Sequence, residues 1–164
     1  LTPYQEIFPG LALAPDSQAA ALWHTNKGGE YFAIGVSGKV TGKGGDIVII
    51  DDPHSEQEAK QAETDPAIFD GVYDWFTSGP RQRLQPGGAI IIVVTRWSKR
   101  DLVGQVTKKM KADPLSDQWE VIELPAILEP TPEHPYERSM WPAFWPLEEL
   151  QKTRASLPVS KWTS

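Results

Sequence analysis

Nine residues, Asp46-Ile47-Val48-Ile49-Ile50-Asp51-Asp52-Pro53-His54, constrain the fold of this chain more than any other stretch. Four consecutive β-branched apolar residues form the short run expected of a strand buried on both faces of a parallel sheet. Two carboxylates follow at once. Pro53 then stops the ladder, because it has no N–H to donate. In open α/β sheets ligands bind just outside the carboxyl edge, so a strand ending in adjacent acids delivers them to a binding position. Asp51 and Asp52 can equally begin a turn and cap the helix after it, and these nine residues alone leave both readings open.

Composition narrows the class. The chain has 164 residues, 40% hydrophobic and 23% charged, enough for one soluble domain with a real core. No apolar run approaches the length of a membrane span, and no secretory signal precedes the first strand. There is no Cys, which excludes a disulfide framework and a thiolate metal site. His24, His54 and His134 match no zinc-ligand spacing. A net charge of −6 argues against a domain whose whole surface coats nucleic acid, though it leaves room for a local basic face. The chain opens on Leu1 and closes on Lys161-Trp162-Thr163-Ser164, and both ends read as cuts through a longer protein.

Along the chain, residues 1–20 read as an irregular lead-in, with Pro3, Pro9 and Pro15 preventing a long helix. Ala21–Thr25 and Glu30–Val36 flank Asn26-Lys27-Gly28-Gly29 and predict a hairpin. The glycine-rich basic segment Ser37–Gly45 lacks the G-x-x-x-x-G-K-[ST] spacing and precedes a strand rather than a helix. It reads first as a connector. The second option is a loop approaching a phosphate or DNA backbone through its N–H groups and Lys39 or Lys43.

Ser55 with Glu58 forms a capping-box pattern opening a helix over Ser55–Glu63. Asp65-Pro66 opens another, in which Ile68, Phe69, Val72, Tyr73 and Phe76 make one apolar face, as core rather than as a base-stacking platform. Gly79-Pro80 ends it. Pro86-Gly87-Gly88 turns into a second apolar strand, Ala89–Val94, which ends in Thr95-Arg96-Trp97. Strand, helices and strand in that order predict a right-handed crossover between parallel strands. Asp51/Asp52 and Thr95/Arg96 would then leave the same sheet edge side by side.

Asp101 opens a third helix with Leu102, Val103, Val106 and Met110 inward. Lys108, Lys109 and Lys111 near its end suit the helix dipole. Gln118–Leu124 alternates and predicts a further strand. Residues 129–146, rich in Pro and Trp, predict an ordered loop pinned by Trp141, Phe144 and Trp145. A last helix starts at Pro146-Leu147 and runs to about Leu157.

Taken in order, Val40–Pro53, Asp74-Trp75-Phe76, Arg83–Gly87, Thr95-Arg96-Trp97, Asp101–Gly104, Glu123–Ile127 and the closing Leu157–Trp162 resemble the large subunit of tailed-bacteriophage terminases, in its ATPase part. The likeness runs from about Gly35 to the end. It implies an α/β, P-loop NTPase-like (ASCE) parallel sheet flanked by helices, incomplete because the Walker A strand is not in the chain. Residues 1–164 would be the C-terminal portion of the ATPase domain: 1–20 the lead-in, 21–128 the sheet and crossover helices. The loop and last helix of 129–164 would lead towards a nuclease domain that is not in the chain.

The implied function is an ATP-driven motor that translocates double-stranded viral DNA into a procapsid, in the host cytoplasm and with no membrane partner. Portal protein and the small terminase subunit are its implied partners, with a homo-oligomeric ring in the assembled motor. The cofactors are ATP and Mg²⁺. Carried over by position, Asp51 is the Walker B acid that holds Mg²⁺, and Asp52 takes the place of the glutamate that orients the attacking water. Thr95 and Arg96 fall in the coupling motif that senses the γ-phosphate. The second acid is Asp where the family has Glu, one methylene shorter, so Glu56 or Glu58 is an alternative. Arg81, Arg83 and Arg96 are candidates for an arginine finger. The isolated segment is expected to be inactive, since it has no Walker A loop. Two other readings use the same residues: a helicase-type ATPase fragment, and a metal-dependent nuclease built on Asp51, Asp52 and His54.

Overall fold

A computed structural model describes residues 3–38 and 42–158 of the chain. Three small sheets and five helices follow in order: α1 (Pro3–Ile7), β1 (Leu13–Ala19), β2 (Leu22–Thr25), β3 (Glu30–Phe32), β4 (Gly45–Asp51), α2 (Glu56–Gln61), α3 (Ala67–Ser78), β5 (Leu84–Val93), α4 (Leu102–Ala112), β6 (Ile127–Leu128), β7 (Arg138–Ser139) and α5 (Leu147–Ser156). The architecture is mixed α/β, with a parallel two-stranded sheet flanked by helices.

The centre is the β4–α2–α3–β5–α4 unit. β4 and β5 pair in parallel from Ile47↔Ala89 to Asp51↔Val93. A register shift lies between Gly45↔Leu84 and Ile47↔Ala89, where Pro86-Gly87-Gly88 sits inside β5 as a bulge. The sequence places a turn there ahead of a strand beginning at Ala89; this is corrected, since β5 begins at Leu84 and runs through the three residues, with Gly87 at a left-handed φ of 81°. Between the strands, Ser55 caps α2 with the reciprocal bonds of a capping box to Glu58. Asp65 Oδ1 accepts from the Ala67 N–H at the start of α3, and Gly79 closes that helix by donating to the Trp75 carbonyl.

The core is small. Ile50, Val72, Phe76, Leu102 and Val106 are buried together, with Val48, Ile90, Ile92, Tyr73, Trp75 and Trp119 packed on them. At about 1.5–3 kcal/mol for each large apolar side chain fully removed from water, this cluster is the main source of cohesion in the described chain.

One face of the sheet has no such cover. Ile47 and Ile49 are 63% and 64% exposed, and Ile91 and Val93 share their side. The expectation of a strand buried on both faces is therefore corrected. Period-two alternation sends Val48 and Ile50 onto α3 and α4, and the described residues supply no layer for the alternate positions.

Three other expectations are corrected. The lead-in holds α1 and β1 instead of irregular chain. β1 is an edge strand whose pairing shifts between Leu13↔Thr25 and Gln18↔Trp23, and that irregularity accommodates Pro15. Residues 117–125 form no strand. Their alternation has no partner edge, and Ile122 and Leu124 are each 73% exposed, although Trp119 reaches the core.

Nor do the aromatic rings pin the 129–146 loop. Trp141 and Phe144 stack on each other with centroids 5.0 Å apart and remain exposed. The loop is held instead by the β6–β7 pairing, by Ser139 Oγ donating to the Trp145 carbonyl at 2.6 Å, and by Arg154 gripping Glu137 at 2.8 and 2.9 Å. Both crossover helices, α4 and α5 lie where the residues predict them, and so does the hairpin β2–β3, except that β3 ends at Phe32 and does not reach Val36. Val40, Thr41 and the Lys39 of the glycine-rich loop lie outside the described residues, as does the motif end at Trp162.

Candidate functional site

The carboxyl edge of the parallel sheet carries the residues singled out from sequence. Because Asp51 pairs with Val93, the chain beyond each strand leaves at the same level. The Asp52 N–H donates to the Val93 carbonyl at 3.0 Å. In return, the Thr95 N–H donates to Asp52 Oδ1 at 3.3 Å. The two tips are thus neighbours joined in both directions. Asp51 continues the strand alternation onto the uncovered face, alongside Ile47 and Ile49, and is exposed.

Asp52 has a φ of +40°, in the left-handed region that a side chain disfavours. The following proline restricts this position further. Such a conformation persists only where the surroundings impose it. Here the impositions are visible: the backbone and side-chain bonds across to Val93 and Thr95 on one side, and buried Pro53 and His54 on the other.

His54 is 4% exposed, edge-on to Phe69 at 4.9 Å. Its Nε2 accepts the Leu102 N–H at 3.2 Å, which puts the ring proton on Nδ1, where no partner is found among the described residues. Burial holds its pKa below the ordinary histidine value, against the opposing charges of Asp101 and Glu58. A neutral, interior ring with its acceptor nitrogen already used is an anchor for the 52–54 turn. It is not placed as a metal ligand beside Asp51.

Arg96 is held by the loop that follows it and stays partly open to solvent. Its Nε donates to Asp101 Oδ2 at 2.9 Å and its Nη2 to the Ser98 carbonyl at 3.2 Å. Arg81 and Arg83 sit in the helical turn Pro80–Arg83 that precedes β5. Six residue steps along β4 separate Gly45↔Leu84 from Asp51↔Val93, which puts both arginines roughly 20 Å from the tips. Arg81 is also paired with Asp117, its Nη2 donating to Oδ1 at 2.6 Å. Of the three arginine candidates, Arg96 alone is at the acidic edge of its own chain.

Glu58, an alternative for orienting a water, is engaged by the Ser55 N–H at 2.8 Å, and that bond with the Ser55 hydroxyl holds its pKa low. Glu56 lies exposed in the first turn of α2. Lys43 donates to both oxygens of Glu30 at 2.8 Å. It lies before β4, at the end opposite Asp51, so within the described residues this loop acts as a connector.

Asp51, Asp52, Thr95 and Arg96 are all exposed. Two clefts of about 280 and 460 Å³ lie against α3 and α4, and neither is lined by any of these four residues. Among the described residues the edge is open to solvent at all four positions. Among the described residues no group of three or more His, Asp or Glu is arranged to hold a metal ion, and no helix is long and apolar enough to cross a membrane.

Sequence reasoning underrated Asp101 and His54. A helix-capping pattern announces Asp101, but nothing in it shows that its second oxygen grips the strand-end loop. Comparison with known proteins finds no matching family model, no matching curated protein and no matching solved structure.

Proposed function

We propose that this chain is part of the ATPase of a viral DNA-packaging motor of the terminase large-subunit type, with the Asp51/Asp52–Thr95/Arg96 edge as its nucleotide-hydrolysing side. The observation that carries the reading is the mutual bonding of the two strand tips, Asp52 to Val93 and Thr95 to Asp52, at the carboxyl edge of a parallel sheet. This is the place where α/β sheets bind ligands. The ordered motif resemblance supplies the family.

The donor set suits the proposed cofactors. Mg²⁺ on a nucleotide is bound through one or two protein carboxylates together with phosphate oxygens, so a dedicated cage of acids is not required. Asp51, exposed and directed off the sheet, would hold the ion. When bound with ATP, that ion supplies charge neutralisation on the β/γ oxygens. Asp52 keeps one carboxylate oxygen on the Thr95 N–H, which leaves the other to orient a water. The Thr95 tip would report on the γ-phosphate through that shared bond, and Arg96 supplies positive charge nearby. A nuclease built on Asp51, Asp52 and His54 has less support, because His54 is buried and no third acid joins the pair among the described residues.

On this reading the partners are double-stranded viral DNA, portal protein, the small terminase subunit and further copies in a ring, acting in the host cytoplasm. The test is Mg²⁺-dependent ATP hydrolysis by the full-length protein. Asp51→Ala is expected to abolish turnover with an unchanged circular dichroism spectrum. Turnover at the wild-type level in that variant ends the assignment.

A further inference from the structure

Asp101 is 2% exposed and yet carries a charge. Burial alone would raise its pKa, but hydrogen bonds from Arg96, Gly104, Ser98 and Trp97 outweigh it and hold the carboxyl below its ordinary value. Its two oxygens do different things. Oδ1 accepts the Gly104 N–H at 2.7 Å, the ordinary work of an N-cap. Oδ2 accepts three donors from the strand-end loop: Arg96 Nε at 2.9 Å, the Trp97 N–H at 3.1 Å and the Ser98 N–H at 3.2 Å.

Capping does not explain that second set. Ser, Thr or Asn would cap α4 as well as Asp does, without burying a charge. The charge matches Arg96. That arginine's side chain is 42% exposed while Asp101's is 3% exposed, so the guanidinium is fixed along one side and open on the other. A guanidinium has five N–H donors. The bonds to Asp101 and Ser98 use its Nε and one Nη, which leaves donors for an anion.

The adjacent residue of α4 completes the arrangement. The Leu102 N–H holds His54, immediately beyond the Asp52–Pro53 turn. Both sides of the candidate site are therefore tied to the first turn of one helix.

We propose that Asp101 is a positioning residue that aims Arg96 at an anionic group, the phosphates of a bound nucleotide, at the Asp51/Asp52 edge. The inference rests on the ATPase reading above. Asp101 touches no substrate itself. It acts by holding the guanidinium in one orientation, so the arginine need not be ordered when charge develops.

The test separates this role from capping. Asp101→Asn and Asp101→Ser both retain a cap for the Gly104 N–H but remove the charge facing Arg96, and the second variant serves if the first does not fold. In the ¹⁵N spectrum of the chain, the Arg96 Nε–H of the wild type is expected to be protected from solvent exchange, and that protection is expected to vanish in the variants. In the full-length protein kcat for ATP is expected to fall about 10-fold or more with KM changed far less. The double variant R96A/D101N is expected to be no slower than R96A, because Asp101 works only through the arginine. Retained protection, unchanged kcat, or additive losses in the double variant each overturn the inference while leaving the ATPase reading intact. Absence of turnover in the wild-type protein removes that reading and this inference with it.

Discussion

The central β4–α2–α3–β5–α4 unit and the amino-terminal sheet β1–β2–β3 are both built on short strands, but they are held by different forces. The central unit has an interior: Phe76 is 2% exposed, Leu102 is fully buried, and two helices cover one sheet face. In the amino-terminal sheet none of the residues from 3 to 38 whose burial is described, which leaves Gln18 aside, is buried. It is held by surface pairs: Trp23 stacked on Tyr31 across the strands at 4.7 Å, His24 Nε2 bonded to Glu30, and Asn26 tied to both Gly10 and Ala12. Lys43 bridges from Glu30 towards β4. A sheet without an interior has marginal stability of its own. Fixed chemistry is therefore expected in the unit with an interior, and the candidate site is found there.

The sharpest way to break this contrast is Phe76→Ala against Trp23→Ala. The first is expected to cost about 3–5 kcal/mol in urea unfolding, the second about 1 kcal/mol. Equal losses would mean that the two regions share one cohesive core.

Next is Gly104→Ala. A Cβ there would meet the Lys99 carbonyl oxygen at 2.3 Å, a backbone atom that cannot swing aside. The expected cost is about 1–3 kcal/mol. Loosening of the Arg96–Asp101 loop should accompany it, read as faster amide exchange at Trp97 and Ser98. No change in stability would show that this loop is not packed on α4.

Ser55→Ala removes one half of the capping box and is expected to cost about 1 kcal/mol, confined to the central unit.

The smallest effect tests the surface bonding of the other region. Hydrogen bonds from Lys43 and His24 hold the Glu30 carboxyl below its ordinary pKa. Its contribution is therefore present above the ordinary glutamate value and lost as pH falls through the lowered one. Amide protection in β2 and β3 should fade on acidification in the wild type, whereas in Glu30→Gln it should start lower and stay flat. The same acid dependence in both would assign it to other groups.

Local chemistry was legible in particular residues. The Ser55/Glu58 box, the Gly79 stop and the apolar face Phe69-Val72-Phe76 each depend on neighbours within a turn or two, and each stands where the residues put it. The pairing of β4 with β5 is expected because a strand–helix–strand order is the usual way to connect two parallel strands of one sheet. The misses involve partners distant in sequence. Gln118–Leu124 alternates like a strand but meets no edge, and Pro15 sits in a strand because that strand is an irregular edge. Ile47 and Ile49 are as apolar as Val48 and Ile50 but find no covering layer.

By itself, the order of residues determined where α2 to α5 start and stop, the two apolar strands, and the arrival of paired acids and a Thr-Arg step at strand ends. These are matters of backbone preference and side-chain periodicity over a few residues. Only the tertiary structure decided that Asp52 bonds to Thr95, that Arg96 faces Asp101, and that Arg81 and Arg83 stand at the far end of β5. Those outcomes depend on register and on which polar group lies within about 3 Å of another. Residues far apart in the chain acquire such distances only once it has packed.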